Sequence, residues 1–166
     1  MEGRRPLVLL GFMGSGKTTV GRLAAELAGA SFADLDQLIE RDAGVSVQEF
    51  FRRRGEPAFR AQEAARLLTA LTPDSVLAVG GGTPMHEASW AALRQRAVTV
   101  WLDAPLPLLL QRADASSRPL LQRHTRSELQ ELHACRCRRY AEADHRVDSS
   151  GPAAVVAEEV VQRWDR

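Results

Sequence analysis

The sequence predicts an α/β protein in which a five-stranded parallel sheet lies between two layers of helices, a three-layer α/β/α sandwich. Short apolar runs alternate with longer stretches that begin and end at helix signals along the 166-residue chain. Alternation of this kind is typical of βαβ units, which are right-handed and build parallel sheets. A glycine-rich loop joins the first apolar run to the first helical stretch.

The predicted strands are short and mostly apolar, as expected for a sheet that is covered on both faces. The second run carries Asp34 and Asp36 at its end, and in a strand two residues this far apart share one face. The third run leads into three consecutive glycines, Gly80–Gly82. The predicted strands are 7–10, 31–36, 75–79, 98–102 and 145–148.

The predicted helices begin and end at recognisable signals. Two begin with a capping box, at Ser46–Glu49 and Thr125–Glu128, and Pro57 lies in the first turn of a third. Glycine follows three of the helices, at Gly29, Gly44 and Gly55. The predicted helices are 17–28, 38–42, 46–54, 57–71, 87–96, 106–112, 125–143 and 153–164.

The loop Gly11–Thr18 reads Gly-Phe-Met-Gly-Ser-Gly-Lys-Thr between a strand and a helix. Glycines let consecutive backbone N–H groups point inward, and with the positive end of the following helix these amides form an anion cradle. In this pattern Lys17 reaches the β- and γ-phosphates of a nucleotide and the Thr18 hydroxyl ligates Mg²⁺. The loop therefore predicts binding of a nucleoside triphosphate with Mg²⁺.

Lys17 is the only lysine among 22 basic residues, and the other 21 are arginine. A lysine is required where a compact ammonium on a flexible stem is needed rather than a planar guanidinium. This observation favours a functional role for Lys17 over an ordinary surface charge.

Composition bounds the remaining possibilities. A single domain is expected, and the net charge of +1 gives no electrostatic reason to expect nucleic acid or a membrane surface as a partner. No apolar stretch approaches a membrane span, and the first apolar run is too short for a signal peptide. Cys135 and Cys137 lie on different faces of a predicted helix, so a reduced, cytoplasmic setting is expected. The four histidines show no ligand or triad spacing, and we expect them to be structural or solvated.

Further motifs follow in order along the chain. They are Asp34-Leu-Asp36 with Ile39-Glu40, Gly55-Glu56 with Phe59-Arg60 and Glu63, Gly80–Gly82, Arg118-Pro-Leu-Leu121, and Arg136 with Tyr140. Together with 11–22 they make the chain resemble the shikimate kinases, small phosphate-loop kinases of the nucleoside monophosphate kinase type, essentially from end to end. The resemblance implies one P-loop kinase domain over 1–166. Its expected parts are substrate-binding helices at about 37–71 and a mobile lid at about 113–124.

The resemblance also implies the reaction and the residues that perform it. Shikimate kinases transfer the γ-phosphate of ATP to the 3-hydroxyl of shikimate, giving 3-phosphoshikimate and ADP in the chorismate pathway. The implied catalytic residues are Lys17, Asp36 and Arg118. The implied Mg²⁺ ligands are Thr18 and, through water, Asp34. The implied ATP contacts are Gly14, Ser15, Gly16, Lys17, Thr18, Thr19, Arg112, Arg118 and Pro152.

Shikimate is a ring carboxylate with three hydroxyls, so its site should present guanidinium groups. The resemblance places the carboxylate against Arg60 and Arg136 and the hydroxyls against Asp36. The other implied substrate contacts are Phe51, Phe59, Glu63, Gly81 and Gly82. Two alternatives stay open at this stage: one of the two aspartates is a helix N-cap, and Phe51 belongs to the core.

Other functions fit the sequence less well. A related small-molecule kinase, such as a gluconate kinase, shares the loop but not the combination of Asp-x-Asp, Phe-Arg and triple glycine. A GTP-dependent switch needs Asn-Lys-x-Asp, and the chain has no asparagine and no second lysine. A regulatory relative without activity is disfavoured because every charged catalytic position is filled. The absence of an obvious exposed apolar stripe favours a monomer.

Overall fold

The computed structural model describes residues 3–114 and 124–165. In these residues five parallel strands form one sheet in the order β2-β3-β1-β4-β5. The strands are β1 Leu7–Leu10, β2 Ser31–Asp34, β3 Ser75–Ala78, β4 Val98–Asp103 and β5 His145–Asp148. The predicted α/β fold class is confirmed.

Helices cover both faces of the sheet, and a single 3₁₀ turn, Thr83–Met85, follows the third strand. The helices of the described residues are α1 Lys17–Ala28, α2 Leu35–Ala43, α3 Val47–Ala70, α4 Glu87–Arg96, α5 Leu106–Asp114, α6 Arg126–Tyr140 and α7 Ala153–Trp164. The predicted lid, with Arg118, lies largely outside the described residues.

The core has two parts because successive side chains of β1 point to opposite faces of the sheet. Val8 and Leu10 belong to the cluster under α2, α3, α4 and α6, whereas Leu7 and Leu9 belong to the cluster under α1 and α7. All four side chains are fully buried. The apolar first run therefore forms the centre of a three-layer sandwich, as its sequence predicts.

The predicted strand 31–36 is two residues too long. It ends at Asp34, whose carboxylate accepts hydrogen bonds from the backbone N–H groups of Asp36 (3.1 Å) and Gln37 (3.4 Å). Asp34 is thus the N-cap of α2, and Asp36 lies in the first helical turn rather than on a strand face. The alternative in which one of the two aspartates is a helix N-cap is therefore correct for Asp34.

The break predicted at Gly55 is present within α3, although the helix is otherwise continuous from Val47 to Ala70. Gly55 has φ 78° and ψ 171°, a conformation that side chains other than glycine rarely adopt. Ser46 caps this helix by accepting from Glu49 N at 3.1 Å, but the Glu49 carboxylate pairs with Arg52 and Arg53 instead of closing the capping box.

Within the described residues, no helix is both long enough and apolar enough to cross a membrane.

The capping box at the start of α6 gives a test of local stability. Thr125 Oγ1 accepts from Glu128 N (3.2 Å), and Glu128 Oε2 accepts from Thr125 N (2.6 Å). We expect Thr125→Ala to lower the free energy of unfolding by about 1 kcal/mol, measured by urea denaturation. Ser127→Ala, at an exposed position in the same turn, is the control and should be nearly neutral. Equal losses in the two variants would contradict a role for the cap.

Candidate active site

The loop Gly11–Thr18 lies at the carboxyl end of β1 and continues into the first turn of α1. Gly14 (φ 76°) and Gly16 (φ 88°) have left-handed backbone conformations. A Cβ at Gly14 would lie 2.1 Å from the Leu109 carbonyl oxygen, so this position has no room for a side chain. Gly16 is the N-cap of α1 and supplies no side chain to its first N–H groups. The loop therefore presents bare backbone beside the positive end of a helix, which suits an anion.

The Lys17 ammonium lies over this loop. It donates to the carbonyl oxygens of Gly11 (2.9 Å) and Phe12 (3.1 Å), so its charge is held where phosphate oxygens would enter. Ser15 is 1% exposed, and its hydroxyl has no hydrogen-bond partner among the described residues. A buried hydroxyl without a partner at this point is consistent with a site whose ligand completes the hydrogen bonding.

A hydroxyl and a carboxylate meet next to the loop. Thr18 Oγ1 donates to Asp34 Oδ2 at 2.8 Å, and α2 begins directly after Asp34. Hard oxygen donors of these two types are the ligands that Mg²⁺ prefers beside a phosphate group. The two residues thus fit the predicted magnesium site.

The three glycines after β3 form the junction of the site. A Cβ at Gly80 would lie 3.2 Å from Asp36 Oδ1, and a Cβ at Gly81 would lie 2.9 Å from an Arg136 guanidinium nitrogen. A Cβ at Gly82 would lie 2.8 Å from an Arg60 guanidinium nitrogen. One backbone segment therefore brings a carboxylate and two guanidinium groups together, although their residues are up to 100 positions apart in sequence.

Gly81 also connects this segment to the phosphate-binding loop. The Gly11 carbonyl oxygen would lie 3.4 Å from a Cβ at Gly81. Tyr140, which is fully buried, donates its hydroxyl to the Gly81 carbonyl oxygen at 2.5 Å, and burial raises the pKa of this hydroxyl far above its usual value. Arg136 lies one turn before Tyr140 on α6, with its guanidinium 5.6 Å from the centre of the Phe12 ring.

Arg60 is held by a buried carboxylate. Its Nη1 donates to Glu63 Oε2 at 2.9 Å, and the second Glu63 oxygen accepts from Thr83 Oγ1 at 2.7 Å. Glu63 is 1% exposed, whereas the Arg60 side chain keeps 19% of its surface accessible. Arg60 Nε and Nη2 donate at 3.4 Å to Glu56, whose side chain is 62% exposed. A ligand carboxylate at Arg60 would therefore compete with this weak, solvent-exposed pair rather than with Glu63.

The two predicted wall residues differ in burial. Phe59 is 2% exposed and belongs to the core, whereas Phe51 is partly exposed. Their rings are stacked at 4.4 Å, and the Arg60 guanidinium lies 5.3 Å from the Phe59 ring and 5.9 Å from the Phe51 ring. Phe51 is the one with surface left for a ligand, while Phe59 supports it from the core.

The family is decided by comparison with known proteins. A family model described as shikimate kinase matches residues 13–165. The chain belongs to the shikimate kinase family. It is 45% identical over 163 residues to a shikimate kinase of Gloeobacter violaceus, an alignment that covers 94% of this chain and 90% of that protein.

Solved structures agree with this family. A shikimate kinase from Acinetobacter baumannii, in complex with shikimate, has a TM-score of 0.88 and 36% identity, covering 97% of this chain and 93% of that one. A gluconokinase from Sinorhizobium meliloti has a TM-score of 0.65 and 19% identity, covering 100% of this chain and 94% of that one. The second similarity is one of fold alone.

Sequence reasoning did not predict two of the contacts, one inside the site and one beside it. Thr83 satisfies Glu63 across 20 residues, and only its position after the triple glycine could have pointed to it. His133, for which we expected a structural or solvated role, has two potential metal ligands beside it. Its ring lies against the Cys137 thiol one helical turn away and close to Asp103. The one-turn spacing of His133 and Cys137 was the available signal.

Arg112 joins α5 to the turn before α7. Its guanidinium donates to the carbonyl oxygens of Ser149 (2.8 Å) and Ser150 (2.9 Å), and Pro152, at the end of this turn, is the N-cap of α7. The two predicted adenine contacts, Arg112 and Pro152, are therefore at the same turn. The guanidinium of Arg112 forms hydrogen bonds with the backbone of this turn.

Asp36 has an unusual carboxyl group. Burial, followed by the neighbouring charges of Asp34 and Glu63, raises its pKa from 3.8 to about 6, against an opposing effect of Lys17. Folding therefore favours the protonated form of Asp36 relative to the unfolded chain. The contribution of this proton to the free energy of unfolding is present below about pH 4 and is lost as the pH rises through 6.

This shift predicts a pH-dependent effect of Asp36→Asn in the metal-free protein. Above pH 6 the variant should be more stable than the parent by roughly 2 kcal/mol, since it removes a disfavoured charge from a partly exposed position. Below about pH 4 the two should be equally stable. Urea unfolding from pH 3.5 to 8 measures the difference, and a constant offset over this range would contradict the assigned pKa.

Proposed function

We propose that the chain transfers the γ-phosphate of ATP to the 3-hydroxyl of shikimate, giving 3-phosphoshikimate and ADP. Membership of the family makes it an ATP-dependent kinase that acts on shikimate. The observation that carries the proposal is the triple glycine segment, which borders the phosphate-binding loop and lies against Asp36, Arg136 and Arg60 in succession. Nucleotide and acceptor can therefore meet at one point.

The nucleotide half consists of loop amides and a mobile cation. Backbone N–H groups of residues 14–19 hold the phosphates, and Lys17 leaves its carbonyl partners to contact the β- and γ-phosphates. Thr18, with Asp34 through water, would hold Mg²⁺, which neutralises phosphate charge when bound. Arg112 and Pro152 flank the adenine.

The acceptor half matches a small hydroxylated acid. Arg60 and Arg136 bind the ring carboxylate, Gly81 and Gly82 offer backbone donors, and Phe51 with Phe59 behind it forms the apolar wall. Glu63 acts through Arg60 as a positioning residue.

Asp36 receives the acceptor hydroxyl. Its carboxylate accepts the hydrogen bond from the 3-hydroxyl and takes its proton as the oxygen attacks phosphorus. Without metal, burial raises the pKa of this carboxyl to about 6, and Mg²⁺ at Thr18 and Asp34 would favour its carboxylate form, which is the form that can take the proton. Phosphoryl transfer otherwise needs positioning and charge neutralisation, which the arginines and Lys17 supply.

Further expectations belong to this proposal. Arg118, outside the described residues, covers the transferring phosphoryl group, and the lid at about 113–124 closes to exclude water. The whole chain, 1–166, acts as one P-loop kinase domain. It works as a monomer in the cytoplasm, without nucleic acid or membrane partners.

A coupled assay of ADP release tests the reaction directly. Shikimate, gluconate and no acceptor are compared at equal ATP and Mg²⁺. Turnover with shikimate alone is expected. Turnover with gluconate only, or equal turnover without an acceptor, would contradict the proposed substrate, and omission of Mg²⁺ should abolish transfer.

Lys17→Met removes the only ammonium of the loop. We expect kcat to fall by at least about 100- to 1,000-fold, as for loss of one preorganised donor, while the unfolding midpoint changes little. Lys17→Arg keeps the charge and should also be impaired, because a planar fork does not fit the same cradle. Near-normal kcat in Lys17→Met would remove this residue from the mechanism.

Arg60→Ala should act on the acceptor alone. The KM for shikimate is expected to rise about 10- to 100-fold, the value of a lost charge-assisted hydrogen bond, with the KM for ATP nearly unchanged. Arg52→Ala is the matched control, since Arg52 is an exposed arginine on the same helix. Steady-state kinetics with each substrate varied separates the two. An effect confined to ATP would exclude Arg60 from the carboxylate site.

A further inference from the structure

Three potential metal ligands converge behind the phosphate-binding loop. Asp103 is the last residue of β4, and His133 and Cys137 lie one turn apart on the same face of α6. Each offers one ligand atom, and these atoms all lie within 4.8 Å of one another. All three side chains are partly buried.

The distances suit a tetrahedral thiophilic cation. His133 Nε2 lies 3.4 Å from Cys137 Sγ. Zinc bonds of about 2.3 Å to sulfur and 2.0–2.1 Å to nitrogen, at a tetrahedral angle, place two such ligands about 3.5 Å apart. The nitrogen and sulfur thus already have the spacing of two ligands of one ion, and a carboxylate oxygen of Asp103 lies within 4.8 Å of both.

The charged neighbour of the cluster contacts one oxygen of the carboxylate. Both hydrogen bonds from Arg146 to Asp103 end on Oδ2, and no other described residue donates to Oδ1. Burial, followed by Asp103, raises the pKa of the Cys137 thiol to about 11, so a bound cation would have to displace the thiol proton.

We propose that Asp103, His133 and Cys137 bind one thiophilic divalent cation, such as Zn²⁺, with water in the fourth position. The site is separate from the Mg²⁺ site at Thr18 and Asp34, whose donors are all oxygen. A thiolate and an imidazole favour Zn²⁺ or Co²⁺ over Mg²⁺, which takes oxygen ligands.

The bound cation would link the sheet to the helix that carries Arg136. Cys137 follows Arg136 directly in α6, and the His133 ring packs edge-on against Phe12 of the phosphate-binding loop at 5.1 Å. A metal at this position ties β4 to α6 beside both substrate sites. It should therefore raise the melting temperature of the chain.

Cobalt spectroscopy tests the site without reference to activity. The full chain, without a histidine tag, is titrated with Co²⁺ in buffer that contains a phosphine reductant to keep the thiols reduced. Nucleotide and Mg²⁺ are left out. We expect one Co²⁺ per chain, a sulfur-to-cobalt charge-transfer band in the near ultraviolet, and loss of that band when Zn²⁺ displaces the cobalt. The melting temperature should rise with Zn²⁺ and not with Mg²⁺.

Matched variants assign the ligands. Cys137→Ser should abolish the charge-transfer band, whereas Cys135→Ser, which changes an exposed cysteine on the same helix, should leave it intact. His133→Gln should keep a thiolate band but weaken Co²⁺ binding by at least about 10-fold.

The proposal is overturned by any of three results. They are absence of the band in the parent chain, persistence of the band in Cys137→Ser, and its loss in Cys135→Ser. If Cys137→Ser does not fold, the His133→Gln variant decides the question. An unchanged Co²⁺ affinity in that variant is then sufficient to overturn the proposal.

Discussion

The site depends on bare backbone where the carboxyl ends of β1 and β3 lie side by side. Both ends continue into glycine-rich segments, and a side chain at Gly14, Gly81 or Gly82 would collide with a neighbouring group. The two strands are hydrogen-bonded neighbours, so the loop Gly11–Thr18 and the segment Gly80–Gly82 are adjacent. The parallel order of the sheet therefore sets the distance between the two substrates before any functional side chain is considered.

Charge balance is the second constraint on the site. Burial, followed by the neighbouring charges of Asp34 and Glu63, raises the pKa of Asp36. Arg60 compensates Glu63 directly, and Mg²⁺ at Thr18 and Asp34 would compensate the aspartates. In the proposed reaction Mg²⁺ would thus add positive charge beside the aspartates and favour the carboxylate form of Asp36, which can accept a proton.

Sequence reasoning succeeded where one local signal decides the structure, and it failed where local signals compete or where a distant partner decides. The five strands and the loop could be predicted because apolar runs, glycines and caps act over a few residues. The start of α2 could not be predicted in this way. Asp34 could either cap a helix or continue the strand to Asp36, and packing decides between the two. Thr83 is 20 positions from Glu63, and Asp103 is 30 positions from His133, so only the fold brings the members of these two pairs together.

The most direct test of this account is a crystal structure of the chain with ADP, Mg²⁺ and shikimate. The account predicts the β-phosphate within hydrogen-bonding distance of the amides of residues 14–19, and the shikimate carboxylate between the guanidinium groups of Arg60 and Arg136. The 3-hydroxyl should then face Asp36. A carboxylate bound away from both arginines, or a diphosphate bound away from the loop, would contradict it.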